Sequence, residues 1–211
     1  MTPDASTETL DASADLQQRK TTIRQQARAN RVAQPNKDEV SGVICAKFVA
    51  LPEYAAARTV MYYVDVRSEV RTRHALPAAL ASGKRIVVPY CVEGQLELFW
   101  LTNMDELTTG MYQILEPKEE LRRLPEKKVA VSEVDLIMVP GVAFDRTGAR
   151  MGNGVGYYDK LLERARPDTP LVATAFECQL FPEIPTALHD IFMDAIITEK
   201  TIYHCKGRRA A

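Results

Sequence analysis

Residues able to do chemistry are concentrated in one stretch, PGVAFDRTGARMGNGVGYYDKLL over residues 140–162, which holds Gly141, Gly148, Gly152, Gly154 and Gly156, half of the chain's ten glycines. Glycine lets backbone N–H groups approach a bulky anion and lets the chain turn through positive φ. The stretch leads straight into a helical pattern, whose N-terminus offers unpaired donors. A phosphate cradle is the chemistry this suggests, and its spacing excludes two familiar versions. Gly152, Gly154 and Gly156 spell GxGxG, with the third glycine one residue early for the dinucleotide fingerprint. Lys160 stands between Asp159 and Leu161, so the Walker A sequence is absent too.

Two charged residues frame the glycines. Arg150 places a guanidinium ahead of them, where it suits a phosphate. Asp159 lies just inside the helix, where a carboxylate is ordinarily a partner of the helix dipole. Beside a phosphate the same carboxylate would repel the anion unless a cation lay between them. Mg²⁺ bound by one or two carboxylates and phosphate oxygens resolves that conflict. The residues alone leave both readings open, and the second predicts a metal.

The elements that must position this stretch follow from periodicity. With 46% hydrophobic and 26% charged residues in 211, the chain fits one globular domain with a sizeable core. Residues 1–14 are polar and terminal and read as a disordered tail. Residues 15–30 form a basic amphipathic helix with Lys20, Arg24 and Arg28 four apart, a pattern that alone describes a solvated basic face. A second helix spans residues 37–50. Short apolar runs then alternate with helical ones: strands at 58–66 and 85–90 around a helix at 72–82, a hairpin strand at 95–102 after the Glu93-Gly94 turn, and a central strand at 135–139. A helix at 157–166 and strands at 171–176 and 195–198 follow. Residues 108–131 lack a clean period and read as a surface excursion, and residues 206–211 as a frayed basic tail. The expected fold is α/β: a single three-layer domain with a mixed, mostly parallel central sheet flanked by helices, Rossmann-like without the dinucleotide fingerprint.

A net charge of -1 gives no global field for nucleic acid or an anionic membrane. Cys45, Cys91, Cys178 and Cys205 show no metal-type spacing and read as buried, reduced thiols. With no signal-like N-terminus or apolar run of membrane length, the expectation is a cytoplasmic protein acting on small molecules, a monomer or weak dimer.

The run FDRTGARMGNGVGYYDKLL resembles the signature of the 5-formyltetrahydrofolate cyclo-ligase family, also called methenyltetrahydrofolate synthetase, approximately PGxxFDxxGxRxGxGxGYYDxxL. Two further features agree: the Lys20 and Arg24 pair, and His189-Asp190 followed by Asp194 and a strand. The resemblance spans residues 15–203, so residues 15–205 are expected to form the cyclo-ligase domain. It implies an ATP- and Mg²⁺-dependent conversion of 5-formyltetrahydrofolate to 5,10-methenyltetrahydrofolate, with ADP and phosphate released. By matched position, Arg150, Met151, Gly152, Asn153, Gly154, Val155, Gly156, Tyr157 and Tyr158 would wrap the ATP phosphates, with Lys20 and Arg24 reaching them from the opposite side. Lys20, Arg150 and Tyr157 would act in the chemical step. Asp159 and Asp190 would hold Mg²⁺, with His189 structural because Mg²⁺ prefers oxygen. For the folate, Glu69 would accept the pterin's paired N–H donors, and Val64, Asn153 and the residues to Tyr157 would line its border with the γ-phosphate. Met151 and Asn153 depart from the commonest family residues. Phe99 and Trp100 are candidates to stack on folate or to serve as core. Two other readings compete: a binding homologue without turnover, against which intact Lys20, Arg150, Asp159 and Asp190 count, and a sugar-phosphate isomerase-like enzyme, which would have no use for the Lys20 helix.

Overall fold

The structure is a computed structural model that describes residues 5–110, 114–187 and 190–208, with side chains from residue 15 onward. The first helix, α1, runs Ala5–Ala33. It starts inside the stretch expected to be a disordered tail, because no glycine or proline interrupts residues 5–33. Helices α2 (Lys37–Val49) and α3 (Pro52–Ala56) follow, the latter with proline in its first turn, where a missing N–H costs nothing.

The chain then enters an eight-stranded sheet. Strand β1 is only Thr59–Met61, against an expected strand to residue 66. The Tyr62 N–H still donates to Val87 O at 2.9 Å, after which the chain leaves the sheet. A 3₁₀ turn at Thr72–His74 and helix α4 (Leu76–Ala81) lead to the hairpin β2 (Arg85–Val92) and β3 (Gln95–Leu101). Its turn uses positive φ at Glu93 and Gly94. The supposed surface excursion carries more structure than its sequence suggests: a hairpin of β4 (Leu107–Thr109) and β5 (Leu115–Pro117), helix α5 (Glu119–Arg122), and the edge strand β6 (Lys128–Val129). Strand β7 (Leu136–Val139) is central. The small hairpin β8 (Ala143–Phe144) and β9 (Arg150–Met151) precedes α6 (Tyr157–Glu163), then β10 (Leu171–Thr174), β11 (Ala195–Ile197) and the short β12 (Ile202–His204).

Strand order is β12-β11-β10-β7-β1-β2-β3-β6. The inner run from β11 to β2 is parallel, and β12, β3 and β6 join antiparallel at the edges. Alternate residues bury opposite faces. Val60, Tyr62, Ile86, Leu136 and Met138 pack under Ile44 and Phe48 of α2 and Leu76 of α4, whereas Met61, Val87, Ile137 and Val139 pack against Leu161 and Leu162 of α6. The three expected layers and the mixed, mostly parallel sheet are therefore present.

The order has a consequence for function. From β1 the chain first moves outward to β2, then returns to place β7 on the other side of β1. The crossovers diverge there, opening a crevice beyond the carboxyl ends of β1 and β7, where open α/β sheets bind ligands. Helix α1 belongs to neither flanking layer. Its Ala27 and Ile23 pack with Val142, Ala143, Ala149 and Met151 of the β8–β9 hairpin. That places its basic residues over the crevice.

The C-terminus differs from expectation as well. Lys206 N–H donates to Thr147 O at 3.2 Å, Gly207 N–H to Met193 O at 3.2 Å, and the Arg208 guanidinium to Arg166 O and Thr169 O at 2.9 and 2.6 Å. Residues 206–208 are docked because they donate to carbonyls of the β8–β9 turn, of the segment after α6 and of the segment before β11. All four cysteines are free, but only Cys45 is buried as expected: Cys178 and Cys205 are half-buried, and Cys91, next to last in β2, is exposed.

Candidate active site

A cavity of about 490 Å³ opens at the crevice. Its walls come from the loop after β1 (Tyr63, Val64, Val66, Glu69), the segment after β7 (Pro140, Gly141), the glycine-rich run Arg150 to Asp159, and Lys20 and Arg24 of α1. Asp190 and Pro185 contribute from the segment before β11. The residues assigned to ATP, Mg²⁺ or folate by matched position thus line one cavity. His189 lies outside the described residues.

The signature stretch divides into scaffold and wall. The buried Asp145 carboxylate accepts from Thr147 N–H at 2.8 Å, from Ala149 N–H at 3.3 Å and from Ile184 N–H at 2.9 Å, which fixes the β8–β9 turn. Met151 is buried in a cluster with Ala27 and also lines the cavity. Gly154 takes φ 99°, a conformation that L side chains rarely adopt, and Gly156 takes φ 76° at the N-cap of α6. Asp194, part of the expected family pattern, is structural: its carboxylate accepts from Leu171 N–H at 2.8 Å and holds β10.

Helix α1 reaches the glycine loop directly. Arg24 Nε donates to Gly152 O and Arg28 Nη2 to Asn153 Oδ1, both at 3.0 Å. Lys20 Nζ lies 3.6 Å from the Asp190 carboxylate. Arg150 is almost fully buried and its Nη2 is ion-paired with Asp159. Arg150 Nη1 reaches Pro140 O only at 3.5 Å, and its Nε is buried with no hydrogen-bond partner. A buried guanidinium donor left over in this way is unfavourable unless something else accepts from it, and a phosphate oxygen is such an acceptor. The residues therefore fit an anion.

They also fit Mg²⁺ in one particular mode. Among the described residues no group of three or more His, Cys, Asp or Glu could enclose a metal. Asp159 and Asp190 can supply one or two carboxylates, with the remaining ligands from phosphate and water, which is how Mg²⁺ is commonly held.

On the opposite wall, Glu69 is largely enclosed, its side chain 12% exposed, and accepts from Val66 N–H at 3.0 Å. Its loop is braced by Asp65, fully buried, which accepts from Arg73 N–H at 2.8 Å and pairs with the Arg73 guanidinium at 2.9 Å. Burial pushes the Glu69 carboxyl above its ordinary range, while Arg31 and the Val66 N–H pull it back. Burial also pushes Tyr158 up, and the nearby Glu69 charge adds to this. The Tyr157 hydroxyl is raised by its hydrogen bond with Cys91.

Several wall residues carried no signal in the sequence: Tyr90 and Cys91 from β2, and Ile114, Leu115 and Glu116 from the supposed surface excursion. Burial and a 3.0 Å bond to Glu97 push Tyr90 up to about 12. Phe99 is enclosed in the core, and Trp100 packs under Arg85 and Lys127, 5.1 and 5.8 Å from its ring. Neither lines the cavity.

Comparison with known proteins agrees with this arrangement. The pattern of the 5-formyltetrahydrofolate cyclo-ligase family matches residues 16–199. The probable 5-formyltetrahydrofolate cyclo-ligase of Schizosaccharomyces pombe is 31% identical over 179 residues, covering 78% of this chain and 86% of that protein. The 5-formyltetrahydrofolate cyclo-ligase of Escherichia coli K12 is 28% identical over 185 residues, 86% of this chain and 98% of its own. The solved structure of Aquifex aeolicus 5,10-methenyltetrahydrofolate synthetase superposes with a TM-score of 0.77 at 29% identity, covering 91% of this chain and 95% of that one. A signature run built into one cavity at the switch point of the sheet, together with a match along nearly the whole fold, makes this chain a member of the 5-formyltetrahydrofolate cyclo-ligase family.

Proposed function

We propose that the protein converts 5-formyltetrahydrofolate to 5,10-methenyltetrahydrofolate, using ATP and Mg²⁺ and releasing ADP and phosphate. One observation carries the reading: a single cavity gathers the glycine-rich run, the α1 cations, two carboxylates and the largely enclosed Glu69. Anion-binding and folate-binding groups thus face a common space.

The chemistry accounts for the need to bring these groups together. A formamide carbonyl is a poor electrophile and its oxygen a poor leaving group. The formyl oxygen attacks the γ-phosphorus and the bond to ADP breaks, giving an imino phosphate on the folate. The second folate nitrogen then attacks the activated carbon, the C–O bond breaks, and phosphate departs. The protein's part is positioning and charge neutralisation rather than covalent catalysis.

In this reading the loop N–H groups from Gly152 to Tyr158 and the Arg150 guanidinium receive the phosphates. Lys20 and Arg24 meet them from α1, Glu69 orients the pterin, and Val64 and Tyr157 border the reacting centre. Mg²⁺ would offset the negative charge that develops on the phosphates during transfer. Asp159 and Asp190 are the side chains that would hold it.

The experiment is a spectrophotometric assay of methenyltetrahydrofolate formed from 5-formyltetrahydrofolate. Product is expected only with both ATP and Mg²⁺ present. Absence of product at saturating substrates, from folded protein, would sink the reading.

A further inference from the structure

Arg31, three residues beyond Arg28 on α1, is nearly enclosed, with a side chain 8% exposed. Its Nε donates to Ser68 Oγ at 3.0 Å, and its Nη1 donates to Gly141 O at 3.3 Å and lies 3.8 Å from Glu69 Oε1. Enclosing a guanidinium is costly unless its partners are well placed. All three partners belong to the two segments that leave the sheet at the switch point: Ser68 and Glu69 after β1, and Gly141 after β7. None is part of the general core.

Glu69 needs such a partner. It is surrounded by Asp65 and Arg67 on its own loop, Tyr63 from the end of β1, Tyr158 from α6 and Arg31 from α1. Asp65 opposes its charge, and burial opposes it more. Arg67 and the Val66 N–H help, but Arg31 is the largest favourable influence. Around Arg31 itself, Arg28 opposes its charge, while Glu69, Tyr63 and Cys178 favour it.

We propose that Arg31 is a positioning residue for the folate pocket: it holds the Glu69 carboxylate charged and aimed into the cavity, and through Gly141 it fixes the spacing of the two loops. The inference rests on the reading that Glu69 accepts the folate's ring donors. Only an ionised carboxylate accepts from two adjacent N–H groups. Without Arg31, Glu69 takes up its proton at higher pH, so folate binding is lost sooner as pH falls.

The experiment uses the full chain with Arg31→Gln, Arg31→Lys, Glu69→Gln and the double Arg31→Gln/Glu69→Gln variant. KM for 5-formyltetrahydrofolate and for ATP is measured from mildly acidic to mildly alkaline pH. Arg31→Gln is expected to raise the folate KM about tenfold or more, the scale of one charge-assisted hydrogen bond, with little change for ATP. The acid limb of kcat/KM for folate should move to higher pH. Arg31→Lys should recover most of the affinity and the limb, and the double variant should be no worse than Glu69→Gln alone.

Parallel rises in both KM values, an unmoved acid limb, or effects that multiply in the double variant would each overturn the proposal. If thermal unfolding shows that Arg31→Gln does not fold, Arg31→Lys decides. A folate KM near the parent's with the limb retained supports the proposal, whereas folate and ATP KM rising together refutes it. Wild-type protein inactive on 5-formyltetrahydrofolate would remove the functional reading and this inference with it. An active wild type with any of the overturning results would remove this inference alone.

Discussion

Lys20 Nζ stands 3.6 Å from the Asp190 carboxylate, so a cation from α1 and an anion from the far end of the chain meet at the wall of the same cavity. Arg150 and Asp159 form a second pair there. Each pair keeps its charges balanced while no ligand is bound, which matters most for Arg150, whose side chain is 3% exposed, because an unpaired buried charge is costly. On the proposed reading, binding would exchange partners: phosphate oxygens would take the two cations, and the two carboxylates would be left to hold the metal. No charge is then left unpaired in either state.

The exchange makes the carboxylates testable. Asp159→Asn and Asp190→Asn should leave the fold intact but lower turnover about a hundredfold or more at ordinary Mg²⁺, as expected when transition-state charge loses its support. Raised Mg²⁺ should recover part of the loss. The measurement is kcat against MgCl₂ concentration, with circular dichroism to verify folding. Near-parent activity for Asp159→Asn would return that residue to the role of helix-dipole partner and salt-bridge acceptor for Arg150.

The glycines of the signature should separate into two classes. Gly148 takes φ 100°, and a Cβ there would meet Met193 O at 2.5 Å and Cys205 Cβ at 2.9 Å. Gly154 takes φ 99°, but its added Cβ would have nothing nearer than the Arg24 guanidinium at 3.8 Å. Backbone strain alone costs about 1–3 kcal/mol at either site. Gly148→Ala adds a clash with backbone, so its loss should appear mainly in urea unfolding. Gly154→Ala should stay closer to the parent in stability and raise the KM for ATP. Equal stability losses with unchanged KM would show that Gly154 is scaffold like Gly148.

These residues mark the boundary between what local sequence expresses and what only the fold reveals. The glycine spacing, Arg150 and Asp159 were legible because a dense glycine run suits neither a strand nor a helix interior, so its backbone must serve a loop that binds or turns. The flanking layers were legible because apolar residues recurred at strand or helix periods. The β4–β5 hairpin escaped because strands of three residues are too short to show alternation, and so Ile114, Leu115 and Glu116 could not be assigned to the cavity. Arg31 escaped for another reason. On a basic helix one more arginine looks like a solvated face, and only the docking of α1 across the switch point shows that it is enclosed. The C-terminal basic run misled similarly, since its residues find backbone carbonyls that no local pattern reveals.

Thiol labelling reports on the cavity without an activity assay. Cys91 is exposed, lines the cavity and lies beside the Tyr157 hydroxyl. Cys45 is buried, and burial, with the Asp65 charge adding to it, pushes its thiol up to about 11. Cys205 is pushed up to about 11 as well, again mainly by burial. The thiolate is the reactive form, so a thiol reagent should modify Cys91 first in native protein, as read by peptide mass spectrometry. ATP with 5-formyltetrahydrofolate should slow that reaction. Labelling of Cys91 at the same rate with and without both ligands would place it outside the occupied volume.

The docked C-terminus should contribute to stability although it lies far along the chain from the elements it supports. Arg208 donates to Arg166 O and Thr169 O at 2.9 and 2.6 Å and approaches Leu162 O at 3.5 Å, so a cation sits against carbonyls at and beyond the C-terminus of α6. Helix α6 carries Tyr157, Tyr158 and Asp159 in its first turn. Arg208→Ala removes the donor to Thr169 O and a second donor from Arg166 O and Leu162 O, which keep the Thr169 and Ala165 N–H groups, and should cost about 1–3 kcal/mol in urea unfolding. Because the other end of α6 forms the cavity wall, the same variant should raise the KM for ATP modestly while leaving the KM for folate nearly unchanged. Unfolding indistinguishable from the parent would show that residues 206–208 are a tail after all.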